Sequence, residues 1–84
     1  MHLEIQTPEK TLYRGEVESI TLPGTMGSFQ ILNNHAPIIA SLTKGILSFT
    51  AGDKIKELEV EDGFVEMHDN NVVICIETKE PQGW

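Results

Sequence analysis

The stretch ILSFTAGDKIKELEVEDGFVEMHDNNVVICIE, Ile46–Glu77, decides the fold of this 84-residue chain. Its apolar residues recur with a period of two. Leu47, Phe49 and Ala51 share one face of a first strand. KIKELEVED, FVEMH and VVICIE read as three more strands, separated by turn signals at Gly52-Asp53, Gly63 and Asp69-Asn70-Asn71. VVICIE is apolar on both parities, which predicts burial on both faces. No part of the stretch carries a sustained helical period.

Working outward from it, the amino-terminal half reads the same way. HLEIQ puts Leu3 and Ile5 on one face and His2, Glu4 and Gln6 on the other. TPEK is a turn. In EVESITL, Val17 falls on one parity and Ile20 and Leu22 on the opposite one, which predicts a β-bulge near Glu18 or Ser19 with Gly15 bending the chain before it. LPGTMGSF reads as a loop, FQIL as a short strand, NNHAP as a second loop and IIASL as a strand that Thr43-Lys44-Gly45 turns. Turn signals recur roughly every 8–12 residues, the pattern of an all-β sandwich or flattened barrel with mostly antiparallel strands. The reading is one domain over residues 1–77, followed by TKEPQGW, residues 78–84, as a short frayed tail.

Composition narrows the function classes. The formal charge of −7 argues against nucleic acid and against anionic lipid, since both require a basic face. Acid is densest between Asp53 and Glu66, where it alternates with apolar residues as the wet side of strands does. The single cysteine, Cys75, offers no intramolecular disulfide and reads as a small buried hydrophobe. MHLEIQTPEK lacks the basic stretch and apolar core of a signal peptide. No apolar run approaches the roughly 20 residues that cross a bilayer. The expectation is a soluble, cytoplasmic chain without direct lipid insertion, reaching a membrane only through a partner.

Catalytic and metal chemistry find no frame. His2, His35 and His68 stand apart, whereas a metal site needs three or four converging ligands. Ser19, Ser28, Ser41 and Ser48 lack a glycine elbow. LPGTMGS has no Gly-Lys-Ser/Thr ending and is not a phosphate loop. Glu61-Asp62 reads as solvated charge. No catalytic, metal or cofactor-binding residue is expected, and no cofactor. One alternative is open: AGDKIKE places Lys54 beside a hairpin turn, as lipoyl- and biotin-carrier domains do with their modified lysine. Against it, the chain lacks the twofold sequence symmetry of those carriers, and the residues flanking Lys54 are not theirs.

The segment NNHAPIIASL, Asn33–Leu42, points to a protein partner instead. Pro37 fixes its own φ and pushes Ala36 towards an extended conformation. Of the adjacent Ile38 and Ile39, one must face outward in a strand.

Taken in order, MHLEIQTPEKTLYRGEVESITLPGTMGSFQILNNHAPIIASLTKGIL and EVEDGFVEMHDNNVVICIET resemble the N-terminal domain of the epsilon subunit of F-type ATP synthase (delta in mitochondria). The resemblance covers most of the chain and rests on the order of GEV, LPG, HAP and GFVE rather than on any one of them. It implies a flattened ten-stranded β-sandwich of two packed sheets and a non-catalytic rotor component of the central stalk. The implied partners are the gamma (γ) subunit and the ring of c subunits. The implied location is the cytoplasmic face of the inner membrane, peripherally, coupling ion-driven rotation to ATP synthesis.

Carried over by position, His35, Ala36, Pro37, Ile38 and Ile39 fall at the γ interface, and Thr25, Met26, Gly27, Ser28 and Phe29 in the loop facing the ring. Ser28 stands where many relatives carry an acid, so a more neutral or apolar contact is expected there. Gln30 and Asn33 replace a common glycine and a common proline. Relatives continue into a two-helix domain that inhibits ATP hydrolysis and in some cases binds ATP. Only seven residues follow Glu77, without a helical pattern, and neither property carries over.

Overall fold

The computed structural model of the chain describes residues 1–78. They form nine strands: β1 (His2–Gln6), β2 (Thr11–Glu16), β3 (Ser19–Gly24), β4 (Gly27–Leu32), β5 (Ile38–Leu42), β6 (Gly45–Ala51), β7 (Lys54–Val60), β8 (Asp62–His68) and β9 (Asn71–Glu77). The expected tail, residues 78–84, lies outside the described residues but for Thr78.

The strands make one hydrogen-bonded sheet in the order β2-β1-β9-β8-β5-β3-β6-β7, with β4 pairing to β3. Every neighbouring pair is antiparallel except β1 and β9, which run parallel. The all-β expectation therefore holds. The implied ten strands and two separate sheets do not: nine strands are present among the described residues, and hydrogen bonding passes between the layers. The link is the single pair Gly24↔Leu42, where β3 meets β5. The sheet curls there, so that its two halves close on one apolar core.

The alternation read in the sequence supplies that core. Leu3 and Ile5 of β1, Ile20 and Leu22 of β3, Leu47 and Phe49 of β6, and Val65 and Met67 of β8 are buried in a single cluster. Val72, Ile74 and Ile76 of β9 join it, but Val73 and Cys75 on the other parity are only half-buried. This corrects the expectation that β9 is covered on both faces. Its outer side carries no second layer among the described residues.

The parity switch in EVESITL has a different cause from the expected bulge. The chain ends β2 at Glu16 and begins β3 at Ser19, crossing from one half of the sheet to the other between them. The Val17 N–H donates to the Met1 carbonyl at 2.9 Å, while the next residue, Glu18, donates to the Thr50 carbonyl at 2.9 Å. A change of layer reverses which parity points inward. Gly15 lies inside β2, opposite Leu3, where its missing side chain leaves room for the Tyr13 ring.

Candidate docking surface

The segment LPGTMGSF is a tight hairpin rather than a loop. Gly24 pairs with Gly27, so only Thr25 and Met26 make the turn, and Gly27, Ser28 and Phe29 already belong to β4. The reason is local: Gly27 takes φ +124°, which side chains rarely adopt. The result is a narrow tip that carries Met26 fully into solvent, 99% exposed. Ser28 is exposed opposite Pro23, and Phe29 turns partly inward against the core.

The loop Asn33–Pro37 is exposed throughout but ordered by hydrogen bonds. Asn34 has φ +62°, a left-handed conformation that asparagine tolerates. Its N–H donates to the Asn70 side-chain oxygen at 2.9 Å, and the His35 N–H donates to the Leu32 carbonyl at 3.1 Å. The His35 ring is turned back on the chain, with Nδ1 2.7 Å from the Ala36 carbonyl. A carbonyl can only accept, so Nδ1 is the donor in this contact.

Strand β5 separates the two isoleucines. Ile38 packs against the core, whereas Ile39 is 76% exposed. On the outer face Ile39 lies opposite Glu66 and Ser41 opposite Phe64, and these in turn lie opposite Val73 and Cys75. Phe64 is 49% exposed. Two shallow grooves flank this strip. One, of about 400 Å³, lies between the hairpin tip and β5 and is lined by Met26, Phe29, Ile38 and Ile39 among others. The second, of about 380 Å³, is lined by Pro37, Ile38, Ile39, Glu66, Met67 and His68.

The structure thus brings part of the two carried-over residue sets onto one surface, with Ile38 and Ile39 in both grooves. His35, Ala36 and Ser28 stand beside it without lining either groove, whereas Thr25 and Gly27 line the first. Phe64, Glu66 and His68 were missed. The signal for Phe64 was present, since a strand that buries Val65 and Met67 must turn Phe64 and Glu66 outward.

Reactive groups are dispersed. His2 Nδ1 lies 3.4 Å from Glu16 and His68 Nδ1 lies 3.2 Å from Asp69, both near the surface. Among the described residues, no group of three or more His, Cys, Asp or Glu converges as a metal site would require. No helix among them is long and apolar enough to cross a membrane. Lys54 opens β7 after the two-residue turn Gly52-Asp53, an exposed hairpin lysine. What the surface offers is shape and apolar contact on a hydrogen-bonded platform.

These features define a small all-β module with an apolar strip framed by an ordered loop and a protruding hairpin. A family model described as the β-sandwich domain of the ATP synthase Delta/Epsilon chain matches residues 1–82, and the chain belongs to this family. That membership displaces the carrier reading of Lys54. The ATP synthase epsilon chain of Leptospira interrogans is 50% identical over 74 residues, covering 88% of this chain and 58% of that protein. The epsilon chain of Desulfitobacterium hafniense is 39% identical over 79 residues, covering 94% and 60%. The chain therefore spans about three fifths of the length of these relatives. The same fold occurs in a chain of the Euglena gracilis mitochondrial ATP synthase, with a TM-score of 0.82, 23% identity and coverage of 88% of this chain and 48% of that one. A chain in the central stalk/c-ring structure of the Tetrahymena thermophila mitochondrial ATP synthase matches with a TM-score of 0.77, at 22% identity over 89% and 61%.

Proposed function

We propose that this chain is a non-catalytic rotor component of an F-type ATP synthase, docking on the γ subunit and on the c-subunit ring. In that role it sits peripherally at the cytoplasmic face of the inner membrane and helps couple ion-driven rotation to ATP synthesis. The observation that carries the reading is the exposed strip of Ile39 and Phe64 beside the hydrogen-bonded loop Asn33–Pro37, in a chain of the epsilon-type sandwich family. Large apolar side chains held in water on one face mark a protein contact. A joint that transmits torque needs them on a platform that does not deform, and the curled sheet is such a platform.

The γ contact is assigned to His35, Ala36, Pro37, Ile38 and Ile39, extended by Phe64. The ring contact is assigned to the tip Thr25–Met26 and to Gly27, Ser28 and Phe29 behind it. With Ser28 neutral and Met26 fully exposed, the ring contact at this tip is apolar rather than ionic. The ordering cost is small because the loop is already set before binding. Co-expression with γ tests the reading: the chain is expected to co-elute with γ in size-exclusion chromatography, and Ile39→Asp to elute alone. A parent chain that never co-elutes with γ would refute it.

A further inference from the structure

Glu66 is an exposed carboxylate set in the middle of the apolar strip. Across the strands it lies between Ile39 of β5 and Val73 of β9. Along β8 the same face carries Phe64 on one side, 49% exposed, and His68 on the other. Residues two apart on one face of a strand are roughly 7 Å apart, within reach of a single bound side chain. The nearby cations are engaged elsewhere. His68 Nδ1 lies 3.2 Å from Asp69, and Arg14, in the same cross-strand row beyond Val73 and Glu4, lies 3.1 Å from Glu4. Among the described residues, the Glu66 carboxylate takes part in no ion pair.

In water this charge is solvated and costs nothing. Under a partner that covers Ile39 and Phe64 it loses that water, and an unpaired charge out of water is strongly unfavourable. A face that docks through these apolar residues therefore requires a positive group opposite Glu66. The second groove, of about 380 Å³, narrows the form of that group. Glu66 and His68 line it together with Pro37, Ile38, Ile39 and Met67. Lysine and arginine lay an aliphatic stem along apolar surface while the charged head reaches a polar partner, which suits an apolar groove with a free carboxylate in its wall. The chain's formal charge of −7 favours the approach of a basic segment.

We propose that Glu66 is the specificity determinant of this face: it receives a long cationic side chain, lysine or arginine, presented by γ, whose stem lies along Pro37, Ile38 and Ile39. The proposal deepens the docking reading and rests on it. Ile39 and Phe64 offer contact area to any apolar surface, whereas Glu66 discriminates. A partner without a cation at this point leaves the carboxylate covered and unpaired, and one with an acid there adds repulsion. Because the pair forms under the covered face, it holds the complex together once formed rather than steering the encounter.

The test follows binding to immobilised γ by surface kinetics for the 84-residue parent, Glu66→Gln, Asp62→Asn and Ile39→Asp. Asp62 shares the outward face of β8 but does not line the groove, so Asp62→Asn removes the same charge at a control site. Glu66→Gln keeps the size of the side chain and leaves the cation of γ covered and unpaired. It is expected to dissociate about tenfold faster or more, with its association rate little changed. Asp62→Asn is expected to dissociate as the parent does. Both side chains are exposed, so both variants should melt with the parent. Dissociation of Glu66→Gln at the parent's rate, while Ile39→Asp no longer binds, would overturn the proposal and leave the docking reading standing. So would equal acceleration in Glu66→Gln and Asp62→Asn, which would reduce the effect to net charge. Slower association with unchanged dissociation would also overturn it, as the mark of a steering charge at the rim. A parent that does not bind γ, or Ile39→Asp that binds as the parent does, refutes the docking reading itself and the proposal with it.

Discussion

The rings of Tyr13 and Phe49 meet with centroids 4.5 Å apart and planes inclined at 48°. Tyr13 belongs to β2 and Phe49 to β6, strands that share no hydrogen bonds and lie in opposite halves of the curled sheet. The contact closes the core where the backbone ladder does not. Phe49 is 1% exposed, while Tyr13 is only partly buried. Phe49→Ala is therefore expected to cost about 3–5 kcal/mol, a large part of the roughly 5–15 kcal/mol that holds a domain folded. Tyr13→Ala should cost less. Urea denaturation of the two variants, compared at equal slope, measures both.

Gly63 and Gly52 separate two reasons for glycine. A Cβ on Gly63 would run into the Cys75 carbonyl and the Ile76 backbone across the β8–β9 pair, whereas one on Gly52 meets nothing within 4 Å but must accept φ +67°. Gly52→Ala should cost about 1 kcal/mol, the strain of a left-handed residue. Gly63→Ala should cost more, about 2–3 kcal/mol, because backbone on a paired strand cannot yield as a side chain can. Thermal unfolding of the two variants ranks them. Equal shifts would show that β9 gives way at little cost.

The neighbours Ile38 and Ile39 should respond oppositely to the same substitution. Ile38→Asp places a charge against the core and is expected to destabilise the fold by about 2 kcal/mol or more. Ile39→Asp, at a site 76% exposed, should leave stability within about 0.5 kcal/mol and abolish co-elution with γ. Denaturation and chromatography on both proteins distinguish a core defect from a lost contact.

Met26 and Ser28 offer a test confined to the hairpin tip. Both side chains are exposed, so Met26→Ser and Ser28→Glu should each leave the melting temperature unchanged. On the proposed apolar ring contact, Met26→Ser speeds dissociation from an assembly of γ and the c-subunit ring, and Ser28→Glu does not strengthen binding. Surface-based kinetics with the immobilised assembly reads both rates. Tighter binding by Ser28→Glu would show that the contact is ionic after all.

Much of this was legible residue by residue. The period of two located most of the strands, β2 (Thr11–Glu16) excepted, and the turn at Gly52-Asp53 falls where the pattern places it, between Ala51 and Lys54. The misreadings cluster where a long-range contact overrides local signals. LPGTMGSF has the composition of a loop, yet Pro23 and Gly24 continue β3 because Ser28 and Gly27 pair with them. The parity switch between Val17 and Ile20 looked like a bulge because a bulge and a change of layer leave the same mark on a sequence.

The sequence by itself determined the all-β class, the apolar residues of the core and the family, because alternation and motif order are properties of the chain read in line. It also isolated Asn33–Leu42 as a segment without chemical companions. Only the tertiary structure decided which isoleucine faces water and that Phe64 shares its face. It alone disclosed that the Asn33 side chain reaches back to Met1. Those facts depend on register between strands and on contacts across |i−j| = 32 and 36 residues, which no local pattern encodes. They follow from closing one curled sheet on one core.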